Sequence, residues 1–260
     1  MIKNYFTVAL RSFWRHRYLT LINIIGLSTG ITAAVVIYLI VQFNFDFNKF
    51  QPDSDRIYRV VTNFSFAGET TYNSGVTGPL PKAVNNEVTG IDISAPFQTL
   101  YQSTVLVLNH SGKITTFKDQ ENIILADKQY FKLFHYRWLA GSPETALDAP
   151  NQVVLSSEQA KKYFPSLSYS QMEGRTVTYD SIRTTVAGVV EPLEGNTDLT
   201  FHDFISYKTA NNNKDLQSQL ALTEWGGTNS ASQFFIRLTE KTSVSQIEKQ
   251  LDALSVQWQK

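Results

Sequence analysis

The side chains that could do chemistry in this chain are its histidines, its carboxylates and a short ladder of small residues. Four histidines, His16, His110, His135 and His202, are scattered through 260 residues. None has a second histidine three to five positions on, the interval at which one helix or turn presents two imidazoles to a metal. Cysteine is absent, which excludes disulfides, thiolate nucleophiles and cysteine-based zinc sites. Asp53-Ser54-Asp55 opens like a calcium loop, but Arg56 and Ile57 stand where the next ligand and the glycine turn belong. Solvated or capping carboxylates are the expectation there. The phosphate-cradling G-x-x-x-x-G-K-[ST], the G-x-S-x-G elbow and H-E-x-x-H do not occur. The chain therefore reads as one with no catalytic residue, no metal site and no cofactor. A membrane-tethered enzyme is the weaker alternative, because catalytic groups can converge from distant positions.

The small residues are more informative. Gly26, Gly30 and Ala34 recur every four positions and so share one helix face, where small side chains let a second helix approach closely in lipid. Chance composition is the plain alternative, since glycine is common in membrane helices. The element that must position them is residues 18–45, which contain no charged side chain. Its apolar part, residues 19–41, would extend roughly 35 Å as a helix against a hydrocarbon core of about 30 Å. A cleaved signal peptide competes with this reading. Such a peptide has an apolar core of about 7 to 15 residues and a small-x-small cleavage site, whereas this run is longer and ends in VVIYLIVQFNF. Asn23 and Gln42 fall near its two ends, within reach of the interface.

Residues 1–17 place Ile2, Phe6, Ala9, Leu10 and Phe13 at three- and four-residue spacings, with Lys3, Arg11 and Arg15 on other faces. The pattern predicts a cytoplasmic interfacial amphipathic helix, with Trp14 and Tyr18 at the headgroup level and lipid as partner. A charged flank serving only insertion is the blander reading. Lys3, Arg11, Arg15 and Arg17 precede the span without an acidic residue, whereas Asp46, Asp53 and Asp55 follow it against the single Lys49. The positive-inside rule then makes the N-terminus cytoplasmic and the remainder extracytoplasmic. Over the whole chain 23 Lys and Arg balance 23 Asp and Glu, so nothing points to nucleic acid.

Residues 46–260 have the composition of an α+β domain. Residues 57–66 alternate, with Tyr58, Val60, Phe64 and Phe66 on one face, and predict one half-buried strand. A short helix follows at 81–88 with Pro81 in its first turn. Strands are expected at 91–97, 104–108, 114–117 and 122–126, with NHSG at 109–112 as a hairpin turn. From Asp127 helices and strands alternate: helix at 127–135, strand at 151–156, helix at 157–164 ended by Pro165, then strands over 175–180 and 182–190. Residues 211–229 read as a short polar helix or loop. A strand at 233–238 and a helix at 243–259 close the chain. The helix carries an apolar stripe of Val244, Ile247, Leu251, Leu254 and Trp258, with Ser245 and Glu248, or Ser243 and Gln246, at capping-box spacing. The change of pattern suggests one part made of 46–126 with 228–260, and a second of 127–227.

Four segments together resemble the MacB-like permeases of ABC transporters, in the variety with a large periplasmic core domain common in Bacteroidetes. They are residues 1–31, MIKNYFTVALRSFWRHRYLTLINIIGLSTGI; residues 47–61, FNKFQPDSDRIYRVV; residues 139–164, LAGSPETALDAPNQVVLSSEQAKKYF; and residues 186–207, VAGVVEPLEGNTDLTFHDFISY. Pro165 and Asn48 depart from the glycine and aspartate common there. The resemblance implies a transmembrane helix at 18–45 in the cell inner membrane, followed by a mixed α/β periplasmic core. That core would be a porter-like βαβ part (46–126 plus 228–260) interrupted by a small α/β subdomain (127–227). It implies a non-enzymatic permease that works as a dimer with a separate ABC ATPase subunit or domain, for efflux or mechanotransmission, with a periplasmic adaptor as a further partner. Such permeases continue into further membrane helices, so this chain would be their N-terminal portion or a truncated product. A membrane-anchored extracytoplasmic sensor is the rival reading.

Overall fold

The computed structural model describes residues 2–45, 47–66, 68–108 and 112–258. It divides into two compact units, Met1–Asn48 and Lys49–Lys260. The first unit contains two helices in succession, α1 (Ile2–Arg15) and α2 (Arg17–Phe45). Helical hydrogen bonds run through the break between them, from His16 N to Ser12 O and from Thr20 N to His16 O, each 3.0 Å. Arg17, expected in the flank, is thus the first residue of the long helix.

The second unit begins with a 3₁₀ turn at Ser54–Arg56, then strands β1 (Ile57–Val60), β2 (Thr62–Phe66) and β3 (Glu69–Asn73), and helix α3 (Leu80–Glu87). There follow β4 (Ile91–Thr99), β5 (Ser103–Leu108), β6 (Ile114–Gln120), β7 (Ile123–Ala126), α4 (Lys128–Leu133), β8 (Trp138–Gly141) and β9 (Gln152–Ser156). The rest is α5 (Ser157–Tyr163), α6 (Tyr169–Met172), β10 (Thr176–Tyr179), β11 (Ile182–Val190), β12 (Asp203–Ser206), α7 (Tyr207–Asn211), α8 (Lys214–Gln219), β13 (Ser232–Leu238) and α9 (Val244–Trp258).

Eleven strands form one mixed sheet in the order β1-β13-β4-β7-β12-β9-β11-β10-β5-β6, with β8 sharing an edge of β11 with β10. The β7/β12 and β9/β11 pairs are parallel. At its centre the apolar runs are buried on both faces, so they lose the alternation of a half-exposed strand. Ile123, Leu125, Val153, Leu155 and Ile205 enter one cluster with Ala160 of α5, Met172 of α6 and Leu216 of α8. Ile124, Ala126, Val154 and Phe204 enter another with Tyr130 and Phe131 of α4. A third cluster joins Val60, Phe234 and Ile236 to Val84 of α3 and to Ile247 and Leu254 of α9. Helix starts are fixed by side-chain oxygens: Asp127 accepts from Gln129 N at 2.9 Å, Ser156 from Gln159 N at 3.3 Å, and Asn213 from Leu216 N at 3.1 Å.

Several expectations change. The single strand expected over 57–66 is two strands in different sheets, because the chain leaves the large sheet at the exposed Val61 and β2 pairs with β3 in a separate hairpin. Tyr58 and Phe64 are consequently exposed rather than half-buried. At the last helix, Gln246 Oε1 accepts from Ser243 N at 2.9 Å, so the second pair of capping residues closes the start, not Ser245 with Glu248. Strands β3, β8 and β12 and helices α6 and α7 were not expected. The turn at 109–111 lies outside the described residues.

Candidate functional site

Helix α2 is 29 residues long and none of them is buried; at ~1.5 Å per residue it reaches about 43 Å. It is long and apolar enough to cross a membrane. In lipid its polar side chains must find partners within the protein, and three do so on their own helix. Thr29 Oγ1 donates to Ile25 O at 2.9 Å, Thr32 Oγ1 to Ser28 O at 2.8 Å and Asn44 Nδ2 to Ile40 O at 2.8 Å. Gly26, Gly30 and Ala34 line one side of this helix in the open: a Cβ built on either glycine meets nothing within 4 Å. On α1 the side chains of Arg11, Phe13, Trp14 and Arg15 are exposed, as is Tyr18 on α2, whose ring lies under the Arg17 guanidinium at 5.1 Å. The side chains of Phe6 and Leu10 lie outside the described residues. What this arrangement can do is anchor, with an apolar stem and an aromatic and basic collar at one end.

In the second unit, Asp53 is the centre of an ion-pair cluster. Its carboxylate lies 2.7 Å from Arg56 Nη2 and 3.1 Å from Arg237 Nη1, and Arg237 also holds Asp92 at 2.7 Å. The hydrogen bond from Arg56 keeps the Asp53 carboxyl below its ordinary range. Among the described residues no three His, Asp or Glu side chains come together as a metal site. Among the described residues the fully buried carboxylate is Asp203, which sequence reasoning missed. Tyr163 OH donates to its Oδ2 at 2.9 Å, Gln159 Nε2 donates to Tyr163 OH at 2.7 Å, and His202 Nδ1 lies 3.4 Å from its Oδ1. Burial, and then the charge of Asp203, push the Tyr163 hydroxyl above its ordinary range. With no accessible surface, Asp203 meets no substrate; its partners satisfy a polar group in the core. At Asp127, burial pushes the carboxyl up to about 6, and burial together with that carboxyl moves the neighbouring Tyr207 up to about 12. Neither aspartate stands in a spacing pattern that would have revealed it.

The MacB-like periplasmic core domain family matches residues 20–254. The chain belongs to this family. A domain of a protein assigned as a permease from Porphyromonas gingivalis superposes with a TM-score of 0.64 at 19% identity, over 81% of this chain and 84% of that one. The periplasmic region of MacB from Actinobacillus actinomycetemcomitans does so with a TM-score of 0.53 at 16% identity, over 79% and 85%. No curated protein matches the chain. Two of the segments that carry the MacB-like resemblance meet in the sheet. Gly141 of β8 and Gly188 of β11 are direct partners, and a Cβ on Gly141 would stand 2.4 Å from Ala187 O. At φ 77° Gly141 is also in the left-handed region. The MacB-like permease fold, with its one N-terminal apolar helix, makes this a membrane-anchored protein with an extracytoplasmic domain.

Proposed function

We propose that the chain is the membrane-embedded permease subunit of an ABC transporter, contributing a first membrane helix and a periplasmic core domain. The observation that carries this reading is the direct succession of an apolar 29-residue helix without a buried residue and a MacB-like periplasmic core. Arg11, Arg15 and Arg17 ahead of the span orient the N-terminus to the cytoplasm, so the span lies in the cell inner membrane and the core in the periplasm. Helix α1 rests on the lipid interface through Phe6, Leu10, Phe13 and Trp14, with Arg11 and Arg15 toward head groups and Tyr18 at the boundary. The face of Gly26, Gly30 and Ala34 receives another membrane helix of the permease dimer.

ATP hydrolysis is assigned to a separate ABC ATPase subunit or domain. The permease transmits that cycle across the membrane for efflux or mechanotransmission, with a periplasmic adaptor as a further partner. The core works in two parts. Supporting this, one apolar cluster unites β1, β13, α3 and α9, and β4 meets β7 over only two register pairs, Gln98–Leu125 and Thr99–Ile124. This reading takes 46–126 with 228–260 as one part and 127–227 as the other; β5 and β7, ahead of 127, nonetheless share an apolar cluster with residues of the inserted part. Purification of the full-length protein from native membranes is the test. A P-loop ATPase should co-purify in fixed proportion; a stable complex without one overturns the proposal.

A further inference from the structure

The hairpin of β2 and β3 forms a sheet of its own, and a lone two-stranded hairpin is marginally stable in water. Its β2 side is partly covered, since Thr62 and Asn63 line a cleft with Leu251, Asp252 and Ser255 of α9. The β3 side is open. Glu69, Thr70, Thr71 and Tyr72 are exposed, Tyr72 at 71%, and among the described residues the backbone of β3 bonds to β2 alone. An uncovered strand edge is a template for another strand, and proteins blunt such edges with charge, short length or irregular backbone. The outer strands of the large sheet are blunted in this way: β1 has four residues with Arg59 among them, and β6 carries Lys118 followed by Asp119 at φ 53°. Strand β3 has no such device. Its one charge is Glu69, at the end next to the turn, and Thr70, Thr71 and Tyr72 are residue types that favour strands.

The sequence of β3 is also complementary to itself. When two copies pair antiparallel about Thr71, Thr71 meets Thr71, Thr70 meets Tyr72 and Glu69 meets Asn73, so the whole strand pairs and no two like charges meet. We propose that β3 pairs with β3 of a second copy of this chain, joining two isolated hairpins into one four-stranded sheet shared by two core domains. This rests on the reading of the chain as half of a permease dimer: so short an edge is too small to hold two free proteins together, and anchoring both copies in one membrane supplies the effective concentration. The absence of cysteine allows a direct test in membranes holding the whole chain. Thr71→Cys should form a disulfide-linked homodimer, because directly opposed strand residues lie about 4.5 to 5.5 Å apart at Cα, within disulfide reach. Thr116→Cys, also exposed but on the blunted edge strand β6, controls for random collision and should yield roughly a tenth as much. Adding Thr70→Glu/Tyr72→Glu to Thr71→Cys sets carboxylates against each other and should lower the yield about fivefold; mixing that chain with one carrying Thr70→Lys/Tyr72→Lys/Thr71→Cys should restore it. Every altered position is exposed, so melting temperatures in detergent should stay at the parent's value. Three results overturn the proposal: a Thr71→Cys yield no higher than that of Thr116→Cys, a disulfide to a protein of another mass in place of the homodimer, or a yield indifferent to the facing charges. The permease reading is judged separately by the ATPase that co-purifies with the full-length protein: an ATPase without the Thr71 link removes only the hairpin pairing, and the link without an ATPase removes only the permease.

Discussion

Residues 31–41 of α2 and residues 123–126 of β7 are both apolar or nearly so and carry no charge, yet every residue of the first stretch is exposed and every residue of the second is fully buried. The helix closes its own backbone hydrogen bonds, so it needs only an apolar solvent around its sides. The strand cannot: Ile123 to Ala126 pair with β12 on one edge, and Leu125 and Ile124 with β4 on the other. The same side chains thus serve two solvents, lipid in one unit and protein in the other. What separates them is whether the backbone is satisfied locally.

Three variants test that contrast. The largest effect is expected where the protein is its own solvent. Phe204, fully buried, has ring centroids of Phe131, Tyr136 and Tyr130 at 5.1, 5.4 and 5.6 Å. Phe204→Ala should cost about 3 to 5 kcal/mol in denaturant unfolding of the chain. A cost under about 1 kcal/mol would break the account of a closely packed two-faced sheet.

Asp127 probes the same core with charge. Burial raises its carboxyl from the ordinary 3.8 to about 6, so between those values the folded chain holds a proton that the unfolded chain has released. This group's contribution is therefore most favourable below about pH 4 and is lost as pH rises through about 6. Above that, the buried charge costs on the order of 2 to 3 kcal/mol. Asp127→Asn retains an oxygen for the Gln129 N–H, so it should stabilise the chain at pH 8, leave it unchanged near pH 4, and flatten the intervening slope. Unfolding midpoints at the two pH values check this; equal destabilisation at both would mean the cap outweighs the buried charge.

The smallest effect on the chain itself belongs to Gly30→Leu, since nothing lies within 4 Å of the added carbon. The melting temperature in detergent should not move. Assembly of the full-length permease, read by cross-linking in membranes, should fall sharply if a second helix packs there. Undiminished cross-linking would remove the packing role from this face.

Much of this was legible from residue pattern alone. Helix α2 announced itself through length, α9 through its stripe, and α4 and α5 through the alternation of helical and strand patterns, with Pro165 marking the end of α5. Four failures share physical causes. β12 is only four residues and begins with Asp203, whose burial depends on Tyr163 and His202 arriving from elsewhere. β3 is polar and exposed, because a hairpin off the main sheet needs no apolar face. β8 borrows half an edge of β11, a vacancy that only the register of β10 creates. The break at Val61 keeps the alternation of side chains intact while changing the sheet they belong to, so periodicity carries no mark of it.

The third apolar cluster holds Val60 of the strand that opens the core domain and Leu254 of the helix that closes it. Trp258 at the end of that helix stacks on Trp225 at 5.2 Å with the rings 5° from parallel. A pull at either end of the domain therefore loads one common knot of β1, β13, α3 and α9. Ile57 of β1 and Phe235 of β13 also pack against the cluster of Val154, Val190 and Phe204, so the same load is passed on to β9, β11 and β12.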